Sequence, residues 1–116
     1  MDNLRLAEAF KALTDENRIT ILKTLKKGEM CAGDILELLN ITQPTLSHHM
    51  KILTEAGLVS ARKQSKFTYY SITTELADAI LEAVGEIFGV EEVNIRTVVR
   101  EKLVEAPKKD LPSHLL

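Results

Sequence analysis

Between Gly28 and Ile72 the apolar residues change their period twice, and the order of those changes restricts the fold more than any other feature of the chain. Ile35, Leu38 and Leu39 mark a short helix over 32–39, and Asn40-Ile41-Thr42 is a polar turn. A second helix starts at Thr42 or Gln43, carries Pro44 in its first turn and stops at Gly57. Two runs with strand-like alternation follow, Leu58–Lys63 and Phe67–Ile72, joined by Gln64-Ser65-Lys66. Helix, turn, helix and hairpin in this order predict a helix-turn-helix with a wing.

The flanks extend the pattern. Leu6, Phe10 and Leu13 predict an amphipathic helix over 3–13 with these three inward. Thr14 and Asp15 are N-cap residues for a helix that runs to about Lys27, with Ile19, Leu22 and Leu25 inward and Gly28 ending it. Residues 74–88 predict a helix whose wide stripe, Leu76, Ile80, Ala83, Val84 and Ile87, can serve its own domain and a second subunit. Beyond Gly89, residues 90–106 suit a further helix, with a strand as the alternative, and 107–116 read as a flexible tail. The expected fold class is mainly α with a small β-hairpin, in the order α-α-α-α-β-β-α with an optional C-terminal helix. The expected domain is 1–106.

The chain has 116 residues, 45% of them hydrophobic and 28% charged, enough for one globular domain. There is one cysteine, no run long enough to span a membrane, and no basic n-region in MDNLRLAEAF. The expectation is a cytoplasmic protein without a disulfide. The net charge of −2 is unevenly placed. Residues 41–72 carry Lys51, Arg62, Lys63 and Lys66 against Glu55 alone, a net +3, whereas 73–106 carry a net −5. A basic head on an acidic body is what a double-stranded DNA ligand would orient.

On a helical wheel of the second helix, Leu46, Met50 and Leu53 fall on one side. Gln43, Thr45, Ser47, His48 and Lys51 lie away from them, and their hydroxyl, amide, imidazole and ammonium groups suit base edges and phosphates in a major groove. Adjacent helical residues diverge by about 100°. His48 therefore points out, while His49 sits at the margin of the apolar stripe, reads as a half-buried core residue, and makes no metal pair with His48. Arg62, Lys63 and Lys66 flank the hairpin tip and suit phosphate or minor-groove contact. Tyr69 and Tyr70 alternate sides of their strand and read as structural. No nucleophile elbow, glycine-rich loop or metal-ligand spacing marks an enzyme.

The segments FKALTDENRITILKTL, GDILELLNITQPTLSHHMKILTEAGLV and RKQSKFTYYSI resemble the ArsR/SmtB family of bacterial and archaeal winged-helix repressors. Within it, GEMCAGDI and TLSHHMKIL resemble the SdpR-like subgroup. The resemblance spans Phe10–Ile72. It implies a homodimer, built from residues 3–13 and 74–106, that represses by binding an imperfect inverted repeat. Carried over by position, it assigns Gln43, Thr45, Ser47 and His48 to the groove and Arg62, Lys63 and Lys66 to the wing.

Departures from the family pattern matter equally. Where metal-sensing members have a cysteine pair, as in ELCVCD, this chain reads Glu29-Met30-Cys31-Ala32-Gly33-Asp34, and soft-metal capture needs two or three thiolates. The paired Asp and His of another zinc site have no counterpart, since 74–106 contain no histidine. No metal or other cofactor is expected, and the effector is not legible. A proline common in the family is replaced by Glu16, and a wing-turn glycine by Ser65-Lys66. Cys31 stands where a helix cap would be; an oxidant-sensitive thiol is one reading and a small, half-buried cysteine without a role is the favoured one. The competing function is a protein-interaction module that acts through its acidic C-terminal helix and binds DNA weakly.

Overall fold

The computed structural model describes residues 1–90. Expectations for 91–116, including the helix or strand toward 106 and the tail, lie outside the described residues. The elements are α1 (Asn3–Ala12), α2 (Glu16–Leu25), β1 (Met30–Cys31), α3 (Ala32–Leu38), α4 (Gln43–Glu55), β2 (Val59–Gln64), β3 (Phe67–Ile72) and α5 (Thr74–Phe88). Met1–Ile80 make one compact unit; the described part of a second begins at Leu81, within α5.

Short polar side chains set the helix starts. Asp2 accepts from the Arg5 amide at 2.8 Å, and Asp15 from the amides of Asn17 at 2.8 Å and Arg18 at 3.3 Å. At α4 the cap is Thr42, whose Oγ1 accepts from the Thr45 amide at 3.4 Å. Each satisfies amides that the first helical turn leaves without an internal partner. Gly28 and Gly57 follow α2 and α4 with φ of 139° and 80°. At Gly57 the left-handed backbone turns the chain from α4 directly into the wing.

The sheet is antiparallel, in the order β1-β3-β2. β2 and β3 pair from Val59↔Ile72 to Gln64↔Phe67, leaving a two-residue turn in which Ser65 takes φ 58°. A non-glycine residue there accepts a left-handed conformation that glycine would adopt without strain. β1 goes beyond the expected hairpin: Met30 and Cys31 pair with Tyr70 and Tyr69. Two residues are too short to produce a readable alternation.

The core of the first unit is Ala12, Ile21, Leu25, Ile35, Leu46, Met50, Leu53, Leu58, Val59 and Leu76. Three expected inward residues are corrected. Phe10 is 39% exposed, because α1 faces inward with Leu6, Ala9 and Ala12, two of them small enough for close approach. Ile19 is 39% exposed, because Ile21 and Leu25, at i and i+4, hold the inner line of α2. Leu38 is 64% exposed at the end of a helix only seven residues long, and Ile35, with partly buried Leu36 and Leu39, does the packing.

His49 is more deeply buried than the half-buried residue expected, at 6% exposure. Its Nδ1 lies 3.2 Å from Arg18 Nη1, and its Nε2 lies 4.0 Å from Asp15 Oδ1. Arg18 Nε also donates to the Ala12 carbonyl at 2.7 Å. One guanidinium thus joins the end of α1, the start of α2 and the middle of α4. Burial, which disfavours the imidazolium, holds the His49 pKa below its ordinary value; Asp15 opposes this and the cation of Arg18 adds to it. In the neutral ring, Nδ1 accepts from Arg18.

Two outcomes follow from this packing. A Cβ at Gly57 would meet Leu76 Cδ2 at 3.2 Å on a backbone that disfavours L side chains. Gly57→Ala should therefore destabilise the fold by about 1–2 kcal/mol in urea unfolding. For His49, the unfolded chain binds a proton that the folded chain resists. Stability should be full above the unfolded value of 6.5 and fall as pH drops from there through the lowered folded value. Thermal melts between roughly pH 8 and pH 5 should show this decline, and His49→Gln should flatten it.

Candidate nucleic-acid interface

α4 presents two faces of opposite character. Leu46, His49, Met50 and Leu53 are buried, at positions i, i+3, i+4 and i+7 of one helical line. Gln43, Thr45, Ser47, His48 and Lys51 are all exposed. Thr42 Oγ1 donates to Thr45 Oγ1 at 2.9 Å while receiving the Thr45 amide, so the first turn is fixed by hydroxyl contacts. The open start of α4 thus exposes the amide side chain of Gln43 and the hydroxyl of Thr45, groups suited to phosphate oxygens and base edges. The His48 and His49 rings are 5.8 Å apart, one facing out and one in.

The wing holds Arg62, Lys63 and Lys66, all exposed. Lys66 Nζ lies 5.6 Å from the centre of the Phe67 ring. Arg62 is engaged on several sides. Its Nη2 and Nε donate to the two carboxylate oxygens of Glu29 at 2.7 Å and 3.2 Å, and its Nη1 donates to Gln64 Oε1 at 2.6 Å. Its guanidinium carbon sits 4.7 Å over the Tyr69 ring. The hydrogen bond from Arg62 lowers the Glu29 pKa, and Glu29 in turn raises that of Arg62. Sequence reasoning placed the wing arginine but missed Glu29, which lies 33 positions away. Tyr70 turns the other way and packs against the core, and burial raises its pKa.

Cys31 is half-buried at the start of α3 and makes no side-chain cap bond there. A Cβ built on Gly33 would stand 3.9 Å from its Sγ. Position 33 is therefore where a second thiolate would complete a pair, and this chain has a hydrogen atom there. Among the described residues no group of three His, Cys, Asp or Glu side chains is arranged to hold a metal ion. Among them, too, no helix is long and apolar enough to cross a membrane.

Comparison with known proteins agrees with this geometry. Residues 15–61 match the family of bacterial regulatory proteins called the arsR family. The chain is 49% identical over 72 residues to the transcriptional repressor SdpR of Bacillus subtilis, a match covering 61% of this chain and 80% of that protein. It is 40% identical over 82 residues to the arsenical resistance operon repressor of Staphylococcus aureus, covering 71% and 79%. A solution structure of a homodimeric winged helix-turn-helix DNA-binding domain from Mycobacterium bovis matches with a TM-score of 0.61 and 25% identity, covering 90% of this chain and 85% of that one. The names of the family and of these relatives are those of transcriptional regulators, not of enzymes. With a winged helix-turn-helix in its fold and relatives of this identity and coverage, the chain belongs to the arsR family of bacterial regulatory proteins.

Proposed function

We propose that the protein is a sequence-specific, double-stranded-DNA-binding transcriptional repressor that works as a homodimer in the cytoplasm. The observation that carries this reading is the two-faced α4: an apolar side held in the core and an unbroken polar side, Gln43, Thr45, Ser47, His48 and Lys51, open to solvent beside a basic wing. α4 enters the major groove from its N-terminal end. Gln43, Thr45, Ser47 and His48 face the groove, and Lys51 serves the flanking backbone. Lys63 and Lys66 take phosphates on the wing side. Arg62, whose fork is already filled by Glu29, is left out of the contact set.

Dimer formation is supported by apolar side chains left open on the two helices concerned. Leu4 of α1 is 72% exposed, and Ile87 and Phe88 of α5 are 60% and 75% exposed. On each helix these side chains offer apolar surface for a partner subunit to cover. A twofold dimer presents two copies of α4, which suits two half-sites about one helical turn of DNA apart.

Selection of bound duplexes from a random pool should enrich a sequence with inverted-repeat symmetry. Affinity for it should fall steeply with salt, and Lys63→Ala with Lys66→Ala should lower the log–log slope by about 0.9 for each lost phosphate contact. Gln43→Ala should cost about 1–3 kcal/mol at one base position and leave that slope unchanged. Enrichment of no sequence, together with salt-independent binding, would sink the DNA reading and favour the interaction module. In sedimentation equilibrium the wild type should run as a dimer, and Leu4→Glu or Phe88→Glu should shift it to the monomer mass without unfolding it.

A further inference from the structure

Arg62 and Glu29 form a tie with an unusual address. The sheet order is β1-β3-β2, so Glu29, which immediately precedes β1, and Arg62, on β2, lie on opposite sides of the middle strand. Their side chains meet across it, over the ring of Tyr69, the cross-strand partner of Arg62 in β3 and of Cys31 in β1. β1 itself contributes only two residue pairs to the sheet. The bridge therefore extends the weakest seam of the wing, and does so beside Cys31, the residue from which α3 starts.

The chemistry suits a fastener. A lone surface ion pair contributes little to stability, but bidentate geometry and membership of a network raise its worth. Arg62 has both: two carboxylate oxygens, the Gln64 amide oxygen and an aromatic face. Three of the guanidinium's five donors are used in one layer. Lys63 and Lys66, near the tip, remain exposed.

We propose that Glu29 is a positioning residue for the wing. It clamps Arg62 so that the hairpin is held at a fixed angle to the helix-turn-helix, and Arg62 acts through this clamp instead of contacting DNA. The proposal rests on the DNA-binding reading for its consequence, though not for the clamp itself. The two roles open to Arg62 differ in sign. If Arg62 were a phosphate contact restrained by Glu29, Glu29→Gln would raise affinity for every duplex. If the clamp sets the wing angle, removing either partner degrades the fit to the preferred duplex alone.

The test compares a duplex selected from a random pool by the wild-type protein with a scrambled duplex of equal length. The ratio of the two affinities cancels the general gain from removing a negative charge. Glu29→Gln and Arg62→Gln should each lower this ratio about three- to fivefold, and the double variant should lower it no further. The salt slope should be unchanged in Arg62→Gln and fall by about 0.9 in Lys66→Gln. A ratio unaffected by Glu29→Gln, additive losses, or a slope lowered by about 0.9 in Arg62→Gln would each overturn the proposal. Amide hydrogen exchange without DNA supplies an independent reading: exchange across the Met30–Tyr70 and Cys31–Tyr69 pairs should quicken in both single variants. If the wild type enriched no duplex, the DNA reading would fall on its own, and unchanged exchange rates would remain the result that overturns the clamp.

Discussion

The buried face of α4 is the constraint on which the remaining structure hangs. Leu46, Met50 and Leu53 are almost fully enclosed, together with Ile21 of α2 and Ile35 of α3. Enclosing each of these side chains is worth about 1.5–3 kcal/mol, which sets the depth of α4 against its neighbours. Apolar contact alone would tolerate some rotation of the helix about its axis. His49 removes that freedom, because its ring nitrogen must meet Arg18, and Arg18 is itself held by the Ala12 carbonyl. A turn of α4 would strand a buried imidazole without its partner, a cost of about 1–3 kcal/mol added to the imperfect hydrophobic fit. The outward residues, from Gln43 to Lys51, are thus aimed by the residues between them that cannot be seen from outside.

The wing is aimed by different means. Val59, Tyr70 and Ile72 anchor its base to the core, but toward its tip β2 is exposed along its whole length after Val59. An exposed hairpin of this kind is marginal unless other contacts orient it. β1 provides a third strand of minimum length, and the Glu29–Arg62 pair crosses the sheet above Tyr69. Position on the wing therefore decides what a positive charge does. Arg62 lies beside the seam with α3 and is consumed in holding it, whereas Lys63 and Lys66 lie near the turn and keep their charge toward solvent.

Much of this was legible in the residues because it is local. Thr42 ahead of Pro44 fixed the start of α4, Gly57 its end, and the step of about 100° between neighbours separated His48 from His49. What was missed depends on contacts distant in the sequence. β1 has two residues and no period. Phe10 and Ile19 obey a helical spacing as well as the residues that replaced them inside, and the choice was made by how closely α1 and α2 approach other helices. Nothing near Arg62 in the chain announces Glu29, the carboxylate it meets 33 positions away. The polar partners of the buried His49, Arg18 and Asp15, likewise stand 31 and 34 positions earlier.

The segment Glu29–Gly33 connects these two aiming devices, and its composition limits what can act on them. Glu29 reaches the wing, Met30 and Cys31 pair with β3, and Ala32 and Gly33 begin the helix that precedes α4. A ligand bound here would act on wing and helix-turn-helix together. For a soft metal ion the segment is one donor short: Cys31 is the chain's sole cysteine, and the position 3.9 Å from its sulfur, where a second side chain would begin, belongs to Gly33. With glycine there, the segment joins α3 to the sheet without a second thiolate.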